Sequence, residues 1–407
     1  MTEITIDRMG AQGDGLAQGP AGPLFAPYTL SGEEVRGHIE KDRFVVDEVL
    51  RSSPERATPF CPHFGHCGGC LLQHWQIAPY LAWKRGLVAE ALAREGVGTE
   101  VRPIVDAHGA GRRRVIFHAR QYGARTVVGF AERRSHAMVE IGACPVLAPS
   151  LHAALPAARA VAQALAPLKK PLDVQVVATD TGLDMDVRGS GPLPPVLVGE
   201  LAGLAARFDL ARLTRHGELL LQRTPPRLAM GRAEVELPPA AFLQATAEGE
   251  RVLAEAVLAA TAGAKRVADL FAGAGTFALR LAETARVFAV ESHQGALAAL
   301  LKAARATSGL RGVEGEARDL FRRPLMPAEL SAFDAVVLDP PRQGAEAQVA
   351  ELARAKLARV VYVSCNAATF ARDARVLAAG GFHLRHVTPV DQFRYSAHVE
   401  LVGVLER

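Results

Sequence analysis

The five cysteines are the residues of this chain whose types and spacing could do the most specific chemistry. Cys61, Cys67 and Cys70 lie together in Cys61-Pro-His-Phe-Gly-His-Cys67-Gly-Gly-Cys70, and Cys144 follows in Ala-Cys-Pro. These four could make one four-thiolate site, which both zinc and an iron–sulfur cluster accept. His63, His66 and His74 are further zinc candidates, but surface or capping roles are expected for them. Cys365 stands alone in Val-Ser-Cys-Asn, after an apolar run, where a catalytic thiol would be placed. The bland reading, a buried inert thiol, fits poorly between polar Ser364 and Asn366.

A second constellation lies in the same C-terminal half. Asp269-Leu-Phe-Ala-Gly-Ala-Gly-Thr276 follows one apolar run and is expected to open a helix. Its glycines let backbone approach a ligand. Glu291 ends the next run, 22 residues after Asp269, where an acid can hold ribose hydroxyls. Gly273-x-Gly275-x-x-Ala278 also satisfies the loose dinucleotide fingerprint, so this loop leaves S-adenosylmethionine and NAD both open. Asp339-Pro-Pro-Arg342 and Ser364-Cys365-Asn366 end two further runs. Ligands of open α/β sheets bind beyond the carboxyl ends of strands, so Phe271, Glu291, Asp339 and Cys365 are expected to line one crevice.

The elements that would hold these residues follow from the pattern. At 407 residues the chain is too long for one ordinary core, and two or three domains are expected. Residues 1–52 alternate short apolar runs with Gly and Pro turns, as a small all-β unit, a barrel for instance, would. Tyr80 to Glu95 has helical spacing, with Leu81, Trp83, Leu87, Val88, Ala91 and Leu92 as its apolar positions. Residues 101–236 mix strand-like runs with an Ala-rich helix over Leu151–Leu165. From about residue 240, a helix near Ala245–Thr261 precedes runs at Arg266–Phe271, Val287–Glu291, Asp334–Asp339 and Val360–Cys365. Alternating β and α at this spacing predicts a doubly wound parallel sheet.

Composition bounds the setting. No apolar run reaches the roughly 18 residues of a membrane helix, and no leader is visible at the N-terminus. Few, unevenly spaced cysteines fit a reducing cytoplasm better than a disulfide framework. Residues 1–55 hold 5 Lys/Arg against 10 Asp/Glu, whereas residues 56–134 hold 12 against 5. The basic stretch surrounds the cysteine group, and such a local field suits a polyanion such as RNA. Nothing speaks to assembly, and a monomer is the default expectation.

Taken together, the pieces resemble the RNA 5-methyluridine methyltransferases, of the branch with an N-terminal TRAM-type barrel and an iron–sulfur cluster. The resemblance is carried by Cys61-x5-Cys67-x-x-Cys70 with Cys144, Phe242-x-Gln244, the Asp269–Thr276 loop, Asp339-Pro-Pro-Arg342, Ser364-Cys365-Asn366 and His398-Val-Glu400. These span almost the whole chain in the family's order. The resemblance implies a TRAM/OB-like barrel over residues 1–55 and a central α+β RNA-binding domain with a 4Fe–4S cluster over 56–238. It implies a Rossmann-like S-adenosylmethionine-dependent methyltransferase over 239–407. It gives Cys365 the addition to uracil carbon 6 and Glu400 the removal of the carbon 5 proton. Gln244, Phe271 and Glu291 would contact the cofactor, and Asp339 would sit where cofactor and base meet. Cys61, Cys67, Cys70 and Cys144 would hold the cluster. The implied substrate is structured RNA, 23S ribosomal RNA first and transfer RNA as the nearest alternative. A non-catalytic iron–sulfur RNA-binding protein is a further reading, against which Cys365 and Glu400 together argue. The family has Phe-Pro-x-Thr shortly before its His-Val-Glu, where this chain has Phe393-Arg394-Tyr395-Ser396.

Overall fold

The computed structural model describes all 407 residues. The N-terminal segment is all-β as expected: six strands between Thr2 and Arg51 share one sheet. Its core is small, built from Ile6, Ala17, Leu24, Ala26, Val35 and Phe44. The strands Thr2–Thr5 and Arg8–Met9 stand at the two ends of the pairing order, so closure into a barrel is not part of the pairing. These end strands are only four and two residues long, which leaves little backbone with which to close.

A second, seven-stranded sheet runs from Arg114 to Glu140 and from Leu172 to Gln222. Val115, Phe117 and Ala119 alternate inward along one strand, the period-2 signal of a half-buried sheet. The helices Ala154–Ala164 and Pro195–Arg207 contribute Ala158, Val161, Leu201 and Ala205 to the same core.

The third sheet positions the candidate site. Its strands, in chain order, are β1 (Glu100–Val101), β2 (Val105–Asp106), β3 (Arg266–Leu270), β4 (Arg286–Glu291), β5 (Val313–Ala317), β6 (Ala335–Leu338), β7 (Arg359–Ser364), β8 (His383–Asp391) and β9 (Glu400–Glu406). The spatial order is β5-β4-β3-β6-β7-β9-β8-β1, with β2 also on β8. β5, β4, β3, β6 and β7 are parallel, while β9 runs antiparallel between β7 and β8. The parallel runs are apolar on both faces because helices cover both, as the unbroken Ala335–Leu338 strand shows. The two earliest strands come from residues 100–106, so sheet membership crosses the boundary expected near residue 239.

Helix α1 (Ile77–Arg94) packs on the helix Ala367–Ala379 and on β8. Its buried stripe is Tyr80, Lys84, Val88 and Leu92, spaced i, i+4. Leu81, Trp83 and Leu87, expected on the buried face, are only half-buried. The stripe turns because fully buried Lys84 donates to Asp391 Oδ1 at 2.6 Å and to the Phe393 carbonyl at 3.1 Å. Burial lowers the Lys84 pKa to about 8, and Asp391 opposes that fall. Breaking a buried pair from one side strands the other charge. Lys84→Met alone should therefore cost about 3–5 kcal/mol in urea unfolding at pH 7. Lys84→Met with Asp391→Leu should recover much of that loss.

Candidate active site

The site forms where β3, β4, β6 and β7 end. After β3 the chain turns sharply at Phe271, whose φ is 63°. Such a left-handed bulky residue costs about 1–3 kcal/mol and persists only where neighbours fix it. Here the Ala272 N–H donates to the Val290 carbonyl. The Gly273 N–H donates to Glu291 Oε2 at 3.0 Å, and Glu291 Oε1 accepts from the His293 N–H at 2.7 Å. Glu291 thus braces the glycine loop as well as facing the crevice. The loop does open a helix, but only the four residues Ala278–Leu281, so a summed helix dipole contributes little. The Phe271 ring lies 5.4 Å from that of Phe321, a partner the sequence pattern did not single out.

The pairing of β7 with β9 brings the nucleophile and base candidates together. Ser364 opposite Leu401 is the last pair of that antiparallel register, and Cys365 and Glu400 are the residues next to it on the two chains. Cys365 directly precedes the helix Ala367–Ala379, whose N-cap Asn366 accepts from the Ala368 and Thr369 N–H groups. A helix N-terminus favours a thiolate. Burial pushes the Cys365 thiol up to about 11, with Glu400 adding to the rise and the Arg342 guanidinium opposing it. Arg342, the last residue of the Asp339-Pro-Pro-Arg342 motif, is the cation beside the thiol. A cavity of about 240 Å³ opens over this group, lined by Cys365, Arg342 and His398, by Leu87 of α1, and by Ala11 and Gln12 in a turn of the N-terminal segment.

Behind the thiol runs a chain of two carboxyls and two carboxamides. Gln244 Nε2 donates to Asp339 Oδ2 at 3.1 Å. Gln392 Nε2 donates to Gln244 Oε1 at 2.7 Å and to Glu400 Oε2 at 2.8 Å. Glu400 is 2% exposed, whereas Asp339 keeps some access to the crevice. Burial raises the pKa of both acids; Asp339 adds to the rise at Glu400, and their amide partners oppose it. Asp269, fully buried beneath the loop, is likewise raised by burial and by Asp339. Gln244 therefore ties Asp339 to Gln392, rather than lying free for a ligand alone.

The other four cysteines share a separate cavity of about 380 Å³ with Gln73, Arg112 and Arg114. All four are free thiols. Burial is the main cause that raises Cys67, Cys70 and Cys144, the last to about 11, and the neighbouring thiols add to the rise. No three His, Cys, Asp or Glu side chains converge on a single metal ion. His74 is buried, and burial drives its pKa down to about 4, consistent with a neutral packed imidazole. The basic stretch around this cavity is partly consumed internally. Arg113 pairs with Glu250 and Arg133 with Asp14, so the charge available outward is smaller than the sequence count implied. Arg114 lies 4.7 Å over the ring of Phe242, which is 65% exposed.

The segment that departs from the family pattern is built into this frame. Arg394 pairs with Asp106, the Tyr395 N–H donates to the Tyr80 hydroxyl at 2.9 Å, and the Tyr395 carbonyl accepts from Leu71 N–H at 2.7 Å. It joins the cysteine loop, α1 and the strand that carries Glu400.

A parallel sheet with a glycine loop and carboxylates at its strand ends defines a Rossmann-type nucleotide-binding fold. The family described as tRNA (uracil-5-)-methyltransferase matches residues 232–407. An "Uncharacterized RNA methyltransferase" of Brucella suis is 47% identical over 405 residues, covering 100% of this chain and 98% of that one. The 23S rRNA (uracil(1939)-C(5))-methyltransferase of Chromohalobacter salexigens is 33% identical, covering 99% of this chain and 89% of that one. The crystal structure of Pyrococcus abyssi tRNA (uracil-54, C5)-methyltransferase in complex with S-adenosyl-L-homocysteine superposes with a TM-score of 0.76. It is 23% identical and covers 99% of both chains, a likeness of fold. The chain belongs to the RNA (uracil-5-)-methyltransferase family. No helix is long and apolar enough to cross a membrane.

A carboxyl whose folded pKa lies above its unfolded value holds its proton more tightly when folded. Its contribution is present at low pH and is lost as pH rises from the unfolded pKa towards the folded one. Glu400 is in this class. Glu400→Gln should therefore raise the unfolding temperature more at pH 8 than at pH 5, as measured by calorimetry.

Proposed function

We propose that this chain transfers a methyl group to carbon 5 of a uridine in structured RNA, with Cys365 as nucleophile and Glu400 as base. The observation that carries this reading is that those two residues flank the last pair of the strand register, Ser364 with Leu401, above the Asp339–Gln244–Gln392 chain. S-adenosylmethionine supplies the methyl group when bound, and Phe271, Glu291, Gln244 and Asp339 are the residues proposed to hold it and the uracil. Carbon 5 of uracil is a weak nucleophile. Addition of the Cys365 thiolate to carbon 6 makes it enolate-like, which splits one hard step into two easier ones. Arg342 and the helix N-terminus favour the thiolate, against the burial that raises it. After transfer, Glu400 takes the carbon 5 proton. The electrons of that bond restore the 5,6 double bond and expel the thiolate.

The first substrate class is 23S ribosomal RNA, supported by the name of the 33% identical relative, with transfer RNA as the alternative. The reaction is placed in the cytoplasm. Residues 1–55 are proposed as a TRAM-like RNA grip, 56–238 as the RNA-binding unit and 239–407 as the methyl-transferring unit. Exposed Phe242 beneath Arg114 offers a face on which a base can stack.

Cys61, Cys67, Cys70 and Cys144 are proposed to hold a 4Fe–4S cluster. The support is that all four free thiols line one cavity. In a 4Fe–4S cluster each of four cysteine thiolates binds one iron, and inorganic sulfides bridge the irons. Its role here is structural, fixing the loop that bears Phe60 against Tyr395 of the active-site segment. Anaerobically purified protein should contain iron and acid-labile sulfide in equal amounts. Cys144→Ser should lose both, while calorimetric binding of S-adenosylhomocysteine in the crevice persists.

Nucleoside mass spectrometry on separated ribosomal and transfer RNA from cells lacking the chain tests the substrate class. One fraction should lose 5-methyluridine, and re-expression of Cys365→Ala should not restore it. Full restoration by that variant would overturn the mechanism. With purified enzyme, Glu400→Gln should lower turnover about 10²–10⁴-fold, the range general-base catalysis spans. Turnover should rise with pH across neutrality, because the Cys365 and Glu400 pKa values are both raised and both groups must act deprotonated.

A further inference from the structure

We infer that Gln392 is a positioning residue for the base, and that a single backbone N–H sets the polarity of the whole carboxyl–amide chain. The inference rests on Glu400 acting as the base. A carboxamide alone can face either way, since its oxygen and nitrogen have nearly the same shape. Here the choice is forced. The Ala245 N–H, which can only donate, points at the Gln392 side chain at 2.9 Å, so the amide oxygen must face it. The Gln392 NH2 group is then turned inward, with one N–H for Glu400 and one for Gln244. Gln244 must accept with its oxygen, which turns its own NH2 group to Asp339. Both acids are thereby held as acceptors, in the form a base requires.

A second observation shows that the fold makes room for this side chain. Gln392 is fully buried against the first turn of the helix Ala247–Ala260. That turn carries Gly249, where a Cβ would come within 2.6 Å of Gln392 Oε1. Glycine within a helix costs about 1 kcal/mol relative to alanine. At this position it gives the amide its space.

The test compares Gln392→Met, Gly249→Ala and Glu400→Gln with the parent enzyme, on ribosomal and transfer RNA from cells lacking the chain. The readouts are turnover, KM for S-adenosylmethionine, and protein–RNA adduct stable to denaturing gel. A base that is misplaced stalls the reaction after methyl transfer, with Cys365 still bonded to carbon 6. Gln392→Met should lower turnover about 10- to 100-fold, the worth of one hydrogen bond to a charged group. Adduct should accumulate, and turnover should fall by a larger factor than KM for S-adenosylmethionine rises, since Gln392 reaches the cofactor only through Gln244.

The pH midpoint of the residual rate should move upward, because the charged form of Glu400 loses a donor. Asp339, Arg342 and Cys365, the other charged or titratable groups facing Glu400, are unchanged in this variant. Gly249→Ala, which leaves every polar group in place, should show the same adduct and pH shift in weaker form, and it keeps the inference testable if Gln392→Met fails to fold. Parent-like turnover in both variants would overturn the inference. So would a loss of rate with neither adduct nor pH shift. Absence of adduct from Glu400→Gln itself would show instead that the base assignment has failed.

Discussion

The structure depends on one register. β9 enters the sheet antiparallel between β7 and β8, and its pairing with β7 ends at Ser364 and Leu401, the residues adjoining Cys365 and Glu400. Side chains alternate along a strand with a period of two, so a slip of one residue would turn Glu400 to the other face of the sheet. The pairing is pinned on both sides. β9 is buried along almost its whole length, and the β8 partner brings Asp391 and Gln392 to the strand end. Function at the crevice is thus a property of strand pairing before it is a property of any single side chain.

The polar groups behind that register are expensive to bury and are handled in two ways. Asp391 is met by the buried cation Lys84 and approached by Arg394. Asp339 and Glu400 have no such direct ion pair and are held by amides instead. The difference matters chemically. A full ion pair would fix a carboxylate in its charged state and weaken it as a base, whereas an amide orients it and leaves its proton affinity high. The same sheet end carries one acid met by a buried cation and two held by amides.

Much of this frame is legible in the residues. Apolar runs at Arg266–Phe271, Val287–Glu291, Asp334–Asp339 and Val360–Cys365 read as buried strands, and the structure sets them at Arg266–Leu270, Arg286–Glu291, Ala335–Leu338 and Arg359–Ser364. Their polar terminations marked the crevice. Lys84 was not legible, because a lysine in a helical pattern reads as solvated until its partner, 307 residues away, is known. Gln392 gave no signal either, since one glutamine between Asp391 and Phe393 looks like any other. The membership of residues 100–106 in the last sheet escaped for the same reason: two-residue strands have no periodicity to read. Local pattern reports burial well and long-range pairing poorly.

The edge strands β1 and β2 carry a consequence for how the molecule is made. Thr99, beside β1, donates to the Leu384 carbonyl 285 residues further on. At about 5–20 residues per second of synthesis, the early segment waits roughly a quarter of a minute to a minute for its partner strand. Throughout that time α1 lacks the helix and strand that cover its buried stripe. α1 and residues 100–106 therefore complete their packing only when the last strands emerge, and an exposed apolar helix face is what a nascent-chain chaperone would meet in the interval. A truncation at the apparent boundary near residue 239 would leave both halves with an open sheet edge or an uncovered helix.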